Sequence, residues 1–171
     1  GDGLADIVLV DADREAFKFF SFADGAFNEY CTLAYPGMVD QHYADFNGDG
    51  KTDLYVVYDD DTPNITKGQV CFAYGKGFYL AEHTKKKIEG EKPMVVDMNS
   101  DGRADVFYFT QSGDIKIEYT KPDGLSANVH YYQMDFECLD VPISGIAGIA
   151  LPDLDGNGAL DLVIETYETY D

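Results

Sequence analysis

The sequence predicts an all-β protein built from a repeated unit, and three observations lead to this fold class. A nine-residue segment rich in Asp, Asn and Gly occurs three times, at 45–53, 97–105 and 153–161. Each copy runs directly into a short stretch of Val, Ile, Leu, Tyr and Phe, which are residues that favour β-strands. No convincing amphipathic helical pattern lies between the copies. We therefore expect strands joined by turns throughout the chain.

Turn residues divide each repeat into its elements. Pairs such as Asp24-Gly25 and Pro36-Gly37 mark turns between apolar runs. The lysine-rich segment 84–90 is expected to be a loop or a solvated strand end rather than a helix. In chain order, the expected strands are residues 6–10, 16–22, 26–34, 42–46, 53–58, 69–74, 94–98, 105–110, 115–119, 146–154 and 161–166.

The spacing of the copies predicts a β-propeller of four-stranded blades. The final Asp residues of successive copies, counted from Asp6 of a partial fourth copy, lie 47, 52 and 56 residues apart. A period near fifty with about four strands is typical of a propeller blade. The nine-residue loop then lies between the first and second strands, and the blade boundaries fall near 1–38, 39–90, 91–140 and 141–171. This organisation corresponds to a partial propeller over 1–171, about three and a half blades of a larger ring; a closed four-bladed ring is the alternative.

The nine-residue segments have the composition of calcium-binding loops. Side-chain oxygens stand at positions 1, 3, 5 and 9, and a backbone carbonyl at position 7 would add another ligand. Calcium takes six to eight oxygen ligands, and three carboxylates held close together are costly without a cation. No Cys or His lies in any copy, which argues against a softer metal. The predicted ligands are Asp45, Asn47, Asp49, Lys51 and Asp53; Asp97, Asn99, Asp101, Arg103 and Asp105; Asp153, Asp155, Asn157, Ala159 and Asp161; and, in the partial copy, Asp2 and Asp6.

Neither an EF-hand nor an ordinary polar turn fits these loops as well. An EF-hand would need a Glu at position 12, where this chain has Val56, Tyr108 and Ile164. A polar hairpin turn would account for one isolated copy, but not for three copies that each lead into a strand. Glycine at position 6 of every copy predicts a positive φ at a sharp turn: Gly50, Gly102 and Gly158.

Composition limits the function classes. The formal net charge of −20 argues against nucleic acid or an anionic membrane surface as a partner. Asn64-Ile65-Thr66 is an N-glycosylation sequence in a turn-like stretch, which favours an extracellular protein. Cys31, Cys71 and Cys138 leave three alternatives open: a disulfide with one remaining thiol, one cysteine paired with a segment outside these residues, or three buried thiols.

The repeated pattern, Asp-x-Asn/Asp-x-Asp/Asn-Gly-x-x-Asp followed by a strand, resembles the FG-GAP/VCBS repeats of integrin α-subunit propellers. The run 91–109, with the preceding segment 68–75, is most similar to the T-cell immunomodulatory protein family. The integrin-like Phe-Gly…Gly-Ala-Pro element is not clearly present. The resemblance implies a calcium-bearing propeller, usually seven-bladed, in the ectodomain of a single-pass membrane glycoprotein or a secreted protein. Any membrane anchor would lie outside these residues.

These observations predict a calcium-stabilised extracellular module that recognises another protein, alongside the remaining blades of the same propeller. The alternative is a lectin-like propeller that binds carbohydrate, for which Phe78-Tyr79 and Tyr131-Tyr132 are candidate aromatic platforms. An enzyme is not expected, because the same loop is repeated whereas a catalytic centre is normally unique. His42, His83 and His130 occur singly in strand-like contexts.

Overall fold

The computed structural model describes residues 6–59, 66–88, 90–110, 115–122, 126–132, 146–158 and 160–167. Within these ranges the secondary structure is almost entirely β, with one single-turn 3-10 helix at Glu82–Thr84. The strands are β1 (Ile7–Val10), β2 (Ala16–Ala23), β3 (Ala26–Ala34), β4 (Met38–Ala44), β5 (Asp53–Asp59), β6 (Thr66–Tyr74), β7 (Gly77–Leu80), β8 (Lys86–Lys87), β9 (Gly90–Val96), β10 (Asp105–Thr110), β11 (Ile115–Thr120), β12 (Ser126–Tyr132), β13 (Ile146–Ala150) and β14 (Val163–Thr166).

The strands form four antiparallel sheets in chain order. Sheet 1 is β1-β2-β3, sheet 2 is β4-β5-β6-β7, sheet 3 is β9-β10-β11-β12 and sheet 4 is β13-β14. The short strand β8 also pairs with β6. None of the four sheets closes on itself within the described ranges. The expected all-β class is therefore confirmed, and each sheet is a meander of strands that are neighbours in sequence.

In each sheet that carries one of the nine-residue segments, the strand before that segment ends earlier than expected. β4 ends at Ala44 and β9 at Val96, in each case one residue before the loop's first Asp. That Asp turns the chain, because its side chain accepts hydrogen bonds from the following backbone N–H groups. β13 ends at Ala150, two residues before Pro152, which has no N–H to donate to a neighbouring strand.

Strand β5 is buried on both faces, so its side chains contact two different sheets. Leu54 and Val56 pack in a cluster with residues of sheet 1, whereas Tyr55 and Val57 pack in a cluster with residues of sheet 3. This alternation follows from the two-residue period of a strand.

Strand β10 repeats the arrangement one sheet further on. Val106 and Tyr108 pack toward sheet 2, and Phe107 and Phe109 pack toward Ile149 and other apolar residues of sheet 4. The four sheets are thus stacked in chain order. A strand covered on both sides has no need of polar residues on either face, which explains the unbroken apolar runs in the sequence.

A buried charged group joins sheets 2 and 3. Glu118 of β11 accepts a hydrogen bond from the Tyr108 hydroxyl at 2.8 Å and pairs with the Lys86 ammonium of β8 at 2.7 Å. Burial alone would raise the pKa of Glu118, but these donors outweigh it and the pKa is lowered. Among the described residues, no helix has the length and apolar character required to cross a membrane.

Candidate metal centres

Three Asp-rich loops occupy equivalent places in three sheets. The loops join β4 to β5, β9 to β10 and β13 to β14, the first and second strands of sheets 2, 3 and 4. They are called here loop 1 (45–53), loop 2 (97–105) and loop 3 (153–161). Because their flanking strands are equivalent, the loops can be compared position by position.

The position-1 Asp organises each loop in the same way. One of its carboxylate oxygens accepts a hydrogen bond from the backbone N–H of position 5, and the other accepts from the N–H of Gly at position 6. The distances to these two donors are 3.3 and 2.7 Å for Asp45, 3.1 and 2.8 Å for Asp97, and 3.1 and 2.9 Å for Asp153. The repeated bonds curl each loop around its first carboxylate.

In loops 1 and 2, the position-9 Asp ties the loop to its sheet. Asp53 is fully buried; its Oδ2 accepts from the Phe46 N–H at 3.0 Å and its Oδ1 from the Ala73 N–H of β6 at 2.8 Å. Asp105 accepts equivalent bonds from Met98 at 3.1 Å and from Thr120 of β11 at 2.8 Å. This Asp therefore connects the start of the loop with the third strand of the sheet.

Burial makes these position-9 carboxylates difficult to ionise in the absence of a cation. Desolvation raises the pKa of Asp53, and it raises that of Asp105 to about 6. Backbone N–H donors offset part of the effect, while the nearby carboxylates of Asp101 and Asp97 add to it for Asp105. A bound divalent cation would remove this penalty by favouring the ionised form.

The expected left-handed turn at position 6 is confirmed. The φ angles are +79° at Gly50, +82° at Gly102 and +85° at Gly158. Sequence reasoning missed a second left-handed residue at position 4 of each loop. The position-4 residues are Gly48 (φ +77°), Ser100 (φ +58°) and Gly156 (φ +73°). The glycine at this position in two of the three copies is the feature of the sequence that could have predicted the second left-handed residue.

Basic side chains at position 7 have a role beyond their backbone carbonyls. Lys51 Nζ lies 2.6 Å from Asp49 Oδ2, and Arg103 Nη2 lies 2.5 Å from Asp101 Oδ2. The hydrogen bond from Lys51 lowers the pKa of Asp49. In loops 1 and 2 a cationic group of the protein therefore already neutralises the position-5 carboxylate.

Loop 3 brings its carboxylates closest together. Asp153, Asp155 and Asp161 each place one carboxylate oxygen within 4.8 Å of the other two. This is the single such group of three among the residues that the structure describes. Loop 3 has Asp at position 3, where loops 1 and 2 have Asn. Its position 7 is Ala159, so it has no basic side chain there that could pair with the carboxylates in place of a cation. The oxygen-only donor set suits calcium or another hard cation.

Several expected site residues lie elsewhere. Asp2, Ala159 and the glycosylation candidate Asn64 are outside the described residues. Asp6 is exposed, and one of its oxygens lies 3.5 Å from the Tyr30 hydroxyl.

Cys31 and Cys71 are free thiols, which excludes a disulfide between these two, and Cys138 is outside the described residues. Burial lowers the pKa of His42, whose Nε2 lies 3.3 Å from Asp40 Oδ2.

Comparisons with protein-family models, with curated proteins and with solved structures find no match for this chain.

Proposed function

We propose that this chain is a calcium-stabilised β-propeller module of an extracellular or cell-surface glycoprotein, and that it recognises another protein. The observation that carries the proposal is the recurrence of one loop design. Three loops share the same oxygen-bearing positions, the same bonds from the position-1 Asp and the same place in their sheets.

The stacking of the sheets supports a propeller. Sheet 3 is a four-stranded meander, and sheet 2 is a four-stranded meander to which the short strand β8 adds beside β6. Both sheets are covered on their two faces by neighbouring sheets, as propeller blades are. Sheet 1 exposes Ile7 and Leu9 on its other face, a surface that a further blade would cover. The FG-GAP/VCBS resemblance favours a seven-bladed ring to which these sheets contribute about three and a half blades.

Calcium in these loops would be structural. A cation would hold the two ends of each loop together and, through Asp53 and Asp105, would brace the third strand of sheets 2 and 3 as well. Extracellular calcium is near millimolar, so loops of modest affinity stay filled there. A structural ion in every loop leaves the surfaces between and beside the loops free for recognition, which is why we propose a binding module rather than an enzyme.

Thermal unfolding in calcium and in excess EDTA tests the structural role. An ion at about a hundred times its Kd stabilises the folded chain by about 2.7 kcal/mol per independent site. We therefore expect a clearly higher melting temperature in millimolar calcium. Asp45→Asn, Asp97→Asn and Asp153→Asn should each reduce the calcium-dependent increase, whereas Asp24→Asn in the exposed β2–β3 turn should leave it intact. Identical melts with and without EDTA would refute the proposal.

Recognition of a protein is tested on intact cells. The fluorescently labelled chain is added to cells in calcium or in EDTA, before and after mild surface proteolysis. Binding that needs calcium and is lost after proteolysis is expected. Binding that is unchanged by proteolysis would contradict recognition of a protein, whether or not the chain also binds a sugar.

A further inference from the structure

A groove of about 420 Å³ lies where loop 1 meets the β6–β7 hairpin. One wall consists of aromatic side chains from the hairpin, and the other consists of polar side chains from the loop. Its volume falls within the range of small-ligand sites, about 300–1,000 Å³. The groove adjoins the predicted calcium site of loop 1, and Asn47 and Asp49 belong to both.

The aromatic wall is exposed to solvent. Tyr74 is 80% exposed and Tyr79 is 56% exposed. Tyr79 pairs with Phe72 across the two strands, and Tyr74 lies two residues beyond Phe72, so all three side chains project from one face of the sheet. Phe72 packs against the core between sheets 2 and 3 and gives this face a fixed base. The tyrosines add little to that core, so their exposed aromatic surface is available to a ligand.

This arrangement corrects part of the sequence-based prediction that Phe78 and Tyr79 form an aromatic platform for carbohydrate. Phe78, proposed with Tyr79 from the sequence, packs against Phe19 of sheet 1 with ring centroids 4.6 Å apart. Residues 78 and 79 point to opposite faces of β7, so they cannot form one surface. Tyr74, from the neighbouring strand, takes the place of Phe78. The side chains of Tyr131 and Tyr132 are outside the described structure.

The polar wall offers donors and acceptors with little net charge. Asn47 supplies an amide, and Asp49 and Lys51 supply a carboxylate and an ammonium group that lie 2.6 Å apart. When calcium is bound, the divalent ion and the Lys51 ammonium together balance the three carboxylates of loop 1, and the chain as a whole carries −20, so an anionic ligand is disfavoured. The wall suits a neutral ligand that carries several hydroxyl groups.

We propose that this groove binds a neutral pyranose saccharide. The apolar C–H face of the sugar ring would lie on Tyr74 and Tyr79, and its hydroxyls would accept hydrogen bonds from the Asn47 side-chain NH₂ and the Lys51 ammonium, which are not calcium ligands. A proline-rich peptide would also lie on tyrosines, but it has few groups to pair with the polar wall. The inference rests on the proposed function in one respect: Asn47 and Asp49 belong to loop 1, so calcium in that loop would order the polar wall.

The test uses the calcium-loaded chain and a panel of methyl glycosides of glucose, mannose, galactose, fucose and N-acetylglucosamine. Saturation-transfer NMR detects binding, and titration gives the Kd. At least one neutral glycoside should bind, and Tyr74→Ala and Tyr79→Ala should each weaken it about tenfold or more. Tyr167→Ala is the matched control, since Tyr167 is 68% exposed on another part of the chain, and it should change nothing.

Three results would overturn the inference: no panel member binds, the two groove variants bind as well as the control, or a polyproline peptide or sialic acid binds the groove in preference to every neutral sugar. Melting each sample in calcium and EDTA separates this result from the proposed function. A normal calcium shift without sugar binding would remove the saccharide site alone, whereas a missing calcium shift would remove the structural role of the metal.

Discussion

The backbone N–H of Ala104, in loop 2, donates a 2.7 Å hydrogen bond to the backbone carbonyl of Asp45, the first residue of loop 1. The two loops also pack directly. A Cβ placed on Gly48 would lie 3.5 Å from Arg103 Cγ, so loop 1 has a side chain of loop 2 against its tight turn. The two candidate metal sites therefore share a contact surface.

This contact predicts that calcium binding at loop 1 depends on loop 2. An ion that orders one loop lowers the cost of ordering its neighbour, and such coupling is reciprocal. Asp97→Asn with Asp101→Asn should weaken calcium binding at loop 1 by about fivefold, the lower end of typical coupling. The Gly50 amide reports on loop 1 by NMR, because its N–H donates to Asp45 Oδ2 at 2.7 Å.

The matched control disables loop 3 with Asp153→Asn and Asp155→Asn, which should leave the Gly50 titration unchanged. Equal loop 1 affinities in both double variants would show that the contact carries no coupling.

Asp53 and Asp49 should differ in how they respond to amide substitution. Both carboxylate oxygens of Asp53 accept backbone N–H groups, and an Asn there would place its own NH₂ against one of those donors. We expect Asp53→Asn to cost about 1–3 kcal/mol of stability in EDTA as well as in calcium. Asp49→Asn, at an exposed position, should lower stability mainly in calcium. Chemical denaturation of both variants in each condition measures the difference, and equal losses in EDTA would contradict it.

Gly68 is expected to tolerate no side chain. A Cβ at this position would lie 1.8 Å from the Tyr55 hydroxyl oxygen, and Tyr55 is buried between sheets 2 and 3. Gly68→Ala should therefore destabilise the chain by about 1–3 kcal/mol through overpacking. Gly77→Ala is the control, because its Cβ would make an ordinary 3.5 Å contact with Cys31 Sγ. Denaturation midpoints check the pair; a Gly68→Ala protein as stable as Gly77→Ala would show that Tyr55 lies elsewhere.

The pH dependence of stability should reveal Asp105 when calcium is removed. Its pKa is about 6 in the folded chain and near 3.8 when unperturbed, so the folded state holds its proton over a pH range in which the unfolded state has lost it. The contribution of Asp105 to stability in EDTA therefore falls as pH rises from about 4 to about 6. Calcium should reverse this contribution by binding the ionised form.

Asp105→Asn removes the titrating group and isolates its effect. In EDTA, the stability of the wild type relative to Asp105→Asn should decline from pH 4 to pH 6, which thermal melts across that range can follow. A difference that is flat or rises with pH would contradict the assigned pKa shift.

Much of the fold could be predicted because its determinants are local. The Asp and Gly positions of each loop specify a turn by themselves, and the β-branched and aromatic runs that follow specify strands, so loops and strands can be located from sequence. Strand ends differ where a side chain, such as that of Asp45, bonds to the backbone after Ala44.

The remaining features depend on contacts between distant segments. Lys51 and Arg103 were expected to contribute only carbonyls, since sequence does not show that their side chains fold back onto Asp49 and Asp101. The Ala104–Asp45 bond requires two sheets to be stacked in register. Tyr74 and Tyr79 meet on one face only through the pairing of β6 with β7.

A crystal structure grown in saturating calcium, with anomalous scattering to identify the ion, tests the central claim most directly. We expect an ion in each of the three loops, about 2.3–2.6 Å from the side-chain oxygens at positions 1, 3, 5 and 9 and the carbonyl at position 7. Well-ordered loops without an ion, or with oxygens that remain paired with Lys51 and Arg103 at saturating calcium, would contradict the account.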